Sequence, residues 1–119
     1  MIEINNLTKR KIEKEELKKL AKKVLKSENK KEDLSIAFVG EKRIRSLNKK
    51  YRKKDKATDV LSFGDGLNEI IICLNKVKKG ELAKVLIHGI LHILGYEHSS
   101  LMDKKQNHYL NKYGQTIYY

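Results

Sequence analysis

Proline is absent from this 119-residue chain, cysteine occurs once, and acidic residues are scarce. The single cysteine, Cys73, excludes an internal disulfide and suits a reducing compartment. Long apolar runs are missing too. The longest mostly apolar stretch, Leu82 to Leu94, carries Lys84, His88 and His92 and falls short of the ~20 residues a membrane-spanning helix needs. With no repeat, low-complexity tract or linker, the chain reads as one domain over residues 1–119, able to bury roughly 65% of its unfolded surface. No basic segment followed by an apolar core opens it, so no secretory signal is expected and a cytoplasmic location is. Only 15 Asp and Glu stand against 27 Lys and Arg, a formal charge of +12. That excess suits a polyanionic partner, nucleic acid before anionic membrane. Because 23 of the 27 are lysines scattered along the chain, solubility alone is the competing explanation.

What is present is a patterned α+β sequence. MIEIN alternates Ile2 and Ile4 around Glu3, as a first strand does. From about Ile12 to Leu25, Leu17, Leu20, Ala21, Val24 and Leu25 fall on one helical face. LSIAFVG, Leu34 to Gly40, reads as a strand and turn. EKRIRSLNKKY places Ile44, Leu47, Asn48 and Tyr51 at helical spacing. The basic loop RKKDKAT leads to a short strand in DVLSF, a turn in FGDGLN, and a strand in NEIIICL whose unbroken apolar run predicts cover on both faces. ELAKVLIHGILHIL is apolar nearly all round, as a central buried helix should be, and Gly95 is placed for a left-handed cap. Ser99 or Ser100 caps a last helix carrying Leu101, Met102, Tyr109, Leu110 and Tyr113, ended by Gly114. The expected fold is a small mixed sheet of about four strands packed with about four helices, one central helix carrying two metal ligands. The tail QTIYY either packs on the sheet or stays loose.

HGILHILGYEH, His88 to His98, has the histidine spacing of the zinc peptidase signature H-E-x-x-H-x-x-G-x-x-H, but Gly89 stands where that signature has its glutamate. His88 and His92, four apart on a helix, project from one side, and a turn at Gly95 folds His98 back to meet them. Two polar rings inside an apolar helix are costly unless they share a partner, and a metal ion is that partner. Three imidazoles leave a fourth position for water, the pattern of a catalytic zinc site, although such a set also accepts nickel, copper or cobalt. Gly89 removes the carboxylate that a peptidase uses as general base, which disfavours amide hydrolysis. Three neutral ligands preserve the ion's full charge and bring bound water to a pKa of roughly 7, which favours a phosphodiester. Glu97 either orients a ligand or is solvated; His108 belongs on the surface.

LNKKYRKKDKATDVLSF, Leu47 to Phe63, concentrates six Lys or Arg residues between Lys49 and Lys56. Lys49, Lys50, Arg52, Lys53 and Lys54 are candidate phosphate contacts, Arg52 through a bidentate fork, and Tyr51 offers a stacking surface. A solvated basic loop is the alternative. With HGILHILGYEH, this segment resembles the YbeY family of zinc-dependent endoribonucleases, bacterial proteins of ribosomal RNA maturation and ribosome quality control. The family motifs H-G-x-L-H-L-x-G-Y-D-H and LN-x-x-Y-R-x-K-D-x-x-T-D-V-L-S-F match the two segments, Glu97 taking the acidic position, and a looser likeness extends over nearly the whole chain.

The resemblance implies one zinc ion on His88, His92 and His98, and a functional requirement for Arg52, so that Arg52 and His88 are the expected catalytic residues. Thr58, Asp59 and Ser62 would shape the cleft floor. The implied substrate is unpaired RNA in ribosomal precursors, including the 3′ end of 16S rRNA, with the ribosome or small-subunit proteins as partners. Two departures leave the ligand set intact: LNEI, Leu67 to Ile70, replaces the family's L-G-D-I, and Phe63 to Glu81 is shorter than is usual. A monomer is expected, since no exposed apolar helix face is evident. The rivals are an amide hydrolase with a base from elsewhere and a ribosome-binding protein whose metal is structural.

Overall fold

The structure is a computed structural model and describes residues 1–64 and 66–114. The tail QTIYY lies outside the described residues. In chain order the elements are β1 (Ile2–Asn6), α1 (Lys14–Ser27), β2 (Leu34–Phe38), α2 (Glu41–Arg52), β3 (Val60–Phe63), β4 (Glu69–Ile72), α3 (Leu82–Ile93) and α4 (Ser100–Tyr113), with a 3₁₀ turn at Leu74–Lys76. The strand order is β1-β2-β4-β3; β1, β2 and β4 run parallel, and β3 is an antiparallel edge. This is the expected α+β fold.

Strand alternation divides the core. On one face the register aligns Ile4, Ile36, Ile70 and Ser62 in a row across the sheet. Buried residues of α1, α3 and α4 cover this face, among them Leu17, Val24, Leu86, Ile87, Ile90 and Met102. The other face carries Leu61 and Ile71, which pack with Ile44 of α2 and with Cys73. The apolar run Ile70–Cys73 is therefore covered on both sides. Cys73 is a free, buried thiol.

Local chemistry explains most of the boundaries. α3 ends in a Schellman turn: Gly95 adopts φ 97°, its N–H donates to His92 O, and Tyr96 N–H donates to Leu91 O, each at 3.0 Å. Ser99 caps α4 by accepting from Met102 N–H at 3.2 Å. Helix α1 begins at Lys14, two residues later than its periodicity suggests. Two apolar assignments need correction. Tyr51 is 52% exposed and Leu101 is 55% exposed, so the inward faces of α2 and α4 are set by Ile44 and Asn48, and by Met102, Gln106 and Tyr109. Among the described residues no helix is long and apolar enough to cross a membrane.

Candidate metal centre and cleft

The sheet row ending in Ser62 runs beneath α3 at Gly89. Absence of a side chain there brings the helix close to the sheet, and Ser62 Oγ donates to Gly89 O at 3.3 Å. Position 89 therefore faces Ile70 and Ser62, while His88 and His92 stay half-buried at the helix margin. The Gly95 turn returns the chain so that exposed His98 joins them. The ring centroids lie 4.5 Å (His88–His92), 5.0 Å (His88–His98) and 4.7 Å (His92–His98) apart. One ligand nitrogen from each ring lies within 4.8 Å of the others.

Hydrogen bonds on the far side of two rings decide what these nitrogens do. His88 Nδ1 is 2.8 Å from Gln106 Oε1, and His92 Nδ1 is 3.0 Å from the Tyr96 carbonyl. Both partners are acceptors, so both Nδ1 atoms carry the proton and both Nε2 atoms present lone pairs. These two Nε2 atoms are 3.0 Å apart. A proton between them would have to be an extra one, and His92 resists it. Burial holds its pKa below the ordinary imidazole value, neighbouring His88 and His98 add to the effect, and the hydrogen bond to Tyr96 opposes it. A shared cation satisfies both lone pairs and leaves the rings neutral, so the donor set fits a metal ion.

The histidines form one wall of a cleft of about 600 Å³, whose other lining residues are Asn48, Arg52, Lys54, Lys56, Thr58, Asp59, Val60, Leu61 and Ser62. Arg52 is the last residue of α2. Its Nη2 donates to Ser62 O at 2.8 Å, and its guanidinium sits 4.9 Å from the centre of the Phe63 ring. Its remaining N–H groups have no protein acceptor among the described residues. Asn48 holds the following basic loop in shape. Its carbonyl accepts from Lys53 and Lys54 N–H, and its Nδ2 donates to Lys56 O at 3.0 Å.

Comparison with known proteins follows the same residues. A family model described as Endoribonuclease YbeY matches residues 3–114. The chain belongs to the YbeY family. A relative from Staphylococcus saprophyticus named Endoribonuclease YbeY is 35% identical over 113 residues, spanning 71% of this chain and 74% of that protein. One of the same name from Myxococcus xanthus is 38% identical over 95 residues, and the match spans 62% of this chain but only 32% of that longer protein. An Anaeromyxobacter relative is matched over 48% of its length. A Thermotoga maritima protein solved in solution superposes with a TM-score of 0.71 at 32% identity, covering 97% of this chain and 90% of that one.

In this YbeY chain the structure brings His88, His92, His98, Arg52, Lys54, Thr58, Asp59 and Ser62 to one cleft. Lys49, Lys50 and Lys53 are exposed outside its lining. Lys49 lies 4.0 Å from Asp55, which Arg45 already engages at 2.7 Å, and Lys50 sits over the Tyr51 ring. Glu97 is exposed and orients neither ring; Gln106 and the Tyr96 carbonyl do so. His108 is exposed against Tyr109. The sequence places Lys56 in the basic segment without singling it out as a phosphate contact, and gives no role to Asn48 as loop anchor or to Gln106. Gln106 had a signal: it is polar, yet it lies four residues after Met102 and three before Tyr109, on the inward stripe of α4.

Proposed function

We propose that this chain is a zinc-dependent endoribonuclease, acting as one domain and as a monomer on unpaired RNA of ribosomal precursors in the cytoplasm. Maturation of the 16S rRNA 3′ end and a part in ribosome quality control, with small-subunit proteins as partners, belong to the same reading. The observation that carries it is the meeting of three histidine side chains with Arg52, Lys54 and Lys56 in one cleft. His88, His92 and His98 would hold the zinc ion, which when bound would supply Lewis acidity toward water and a phosphoryl oxygen.

The protein's own groups perform the remaining work. Arg52, anchored through Ser62 O, keeps N–H groups available for a phosphate and for the charge that develops on it. Lys54 and Lys56 draw the strand in by charge. Asp59, the one carboxylate among the lining residues described, is the cleft group able to take a proton from the attacking water. Amide hydrolysis is the weaker reading because position 89 points into the sheet, so no carboxylate on that residue reaches the ligand side.

The test is cleavage of single-stranded RNA by wild type, Arg52→Glu and His88→Ala proteins purified identically, with bound metal measured in each. Activity is expected in wild type alone, with metal retained by Arg52→Glu and lost from His88→Ala. Equal cleavage by all three overturns the assignment and points to a contaminating nuclease.

A further inference from the structure

Glu28 follows the last residue of α1, sixty residues before the first histidine ligand, yet its carboxylate gathers donors from both elements that orient the rings. Tyr96 Oη donates to Glu28 Oε1 at 2.6 Å, and Lys105 Nζ donates to Oε2 at 2.9 Å. The same Oε2 accepts from Tyr109 Oη. The Glu28 side chain is only 6% exposed. Tyr96 is also the residue whose carbonyl accepts from His92 Nδ1 and whose N–H closes the Gly95 turn. Lys105 and Tyr109 flank Gln106 on α4, and Gln106 holds His88.

We propose that Glu28 is a positioning residue of the metal centre, clamping Tyr96 and α4 to α1 so that His88 and His92 present their Nε2 atoms at one point and His98 is returned beside them. The proposal rests on His88, His92 and His98 being the ligand set. A contact serving only to join α1 to α4 has no need of a carboxylate, because an apolar side chain joins helices without removing a charge from water. Three donors converge here instead, and each comes from the segment or helix that sets a ring's direction. Outer partners of metal ligands matter in this way because the ligand nitrogens must converge within a few tenths of an ångström.

The test uses Glu28→Gln and Tyr96→Phe, the second of which keeps the aromatic ring and the carbonyl facing His92 and removes only the hydroxyl. Val24→Ala, in the buried core of α1, serves as the stability control. Three quantities are measured: zinc affinity by competition with a chelating dye, melting temperature of the metal-free protein, and imidazole tautomers from long-range proton–nitrogen spectra of the metal-free protein. Glu28→Gln and Tyr96→Phe are expected to weaken zinc about tenfold and to deplete the His92 tautomer protonated at Nδ1. Val24→Ala is expected to lower the melting temperature while leaving affinity and tautomer unchanged. Unchanged affinity and tautomer in both test variants, with only the melting temperature lowered, overturn the proposal. If the wild type itself takes up no zinc, the ligand reading fails and the proposal falls with it; a wild type that binds zinc, with both test variants unchanged in affinity and tautomer, sinks the clamp alone.

Discussion

A Cβ built on Gly89 would lie 3.0 Å from Ile70 Cγ2 and 3.1 Å from Ser62 Oγ. Ile70 belongs to an interior strand and cannot swing aside, and Ser62 Oγ is tied to the Gly89 carbonyl, so a larger side chain has nowhere to go. Gly89→Glu should therefore destabilise the protein by about 3 kcal/mol or more, combining overpacking with a buried charge. Urea denaturation of the metal-free protein measures it, and the variant should gain no peptidase activity. The missing carboxylate was legible in the sequence. That position 89 also sets the helix–sheet separation was not, because spacing along a chain carries no information about which strand lies opposite. Gln106 gives the complementary case. It is 7% exposed, and its Oε1 accepts from His88 Nδ1. Gln106→Leu, similar in volume, should weaken zinc binding about tenfold by freeing the His88 ring, measured by chelator competition against wild type.

Elements that join through local chemistry were the readable ones. The amphipathic stripe of α1, the alternation of β1 and β2, the Ser99 cap and the Gly95 turn all follow from residues a few positions apart. The turn permits a clean test. Nothing lies within 4 Å of a Cβ added at Gly95, so Gly95→Ala costs only the backbone strain of φ 97°, about 1–2 kcal/mol. Relief of that strain displaces Tyr96 and His98, so zinc affinity should fall together with stability, as calorimetry on the loaded and metal-free protein will show. Glu28 was not readable, since its three donors lie 68 to 81 residues away. Burial acts to raise the Glu28 pKa, but hydrogen bonds from Tyr109, Tyr96 and Lys105 outweigh it and hold the pKa below the ordinary 4.5. The sign follows from linkage. A carboxyl whose folded pKa is depressed stabilises the fold above its unfolded value, and that contribution is lost as pH falls through the folded pKa. The stability difference between wild type and Glu28→Gln should thus be constant above about pH 5 and shrink below 4.5. Denaturation across that range on metal-free protein checks this, and a difference that stays constant down to pH 3 contradicts it.

At the scale of the molecule the question is how much of the +12 charge acts on a substrate. Composition pointed to a polyanion without locating the contact, because lysines occur in most segments of the chain. The fold makes a selection. It brings Arg52, Lys54 and Lys56 to the cleft, spends Lys105 on Glu28, and places Lys49 beside Asp55, Lys76 beside Glu41 and Lys84 beside Glu81. Each phosphate neutralised on a single strand contributes about −0.7 to the slope of log affinity against log salt. Three cleft cations thus predict a slope of about −2 for a short single-stranded RNA, whereas participation of the whole net charge would give one near −8. Lys54→Gln and Lys56→Gln should each make the slope shallower by about 0.7, and Lys49→Gln, outside the lining, should leave it unchanged. Binding measured with a non-cleavable oligonucleotide between about 50 and 200 mM salt, the range over which such contacts are lost, separates these cases. An equal change from Lys49→Gln would mean that the strand runs over the outer face of α2 rather than along the histidine wall.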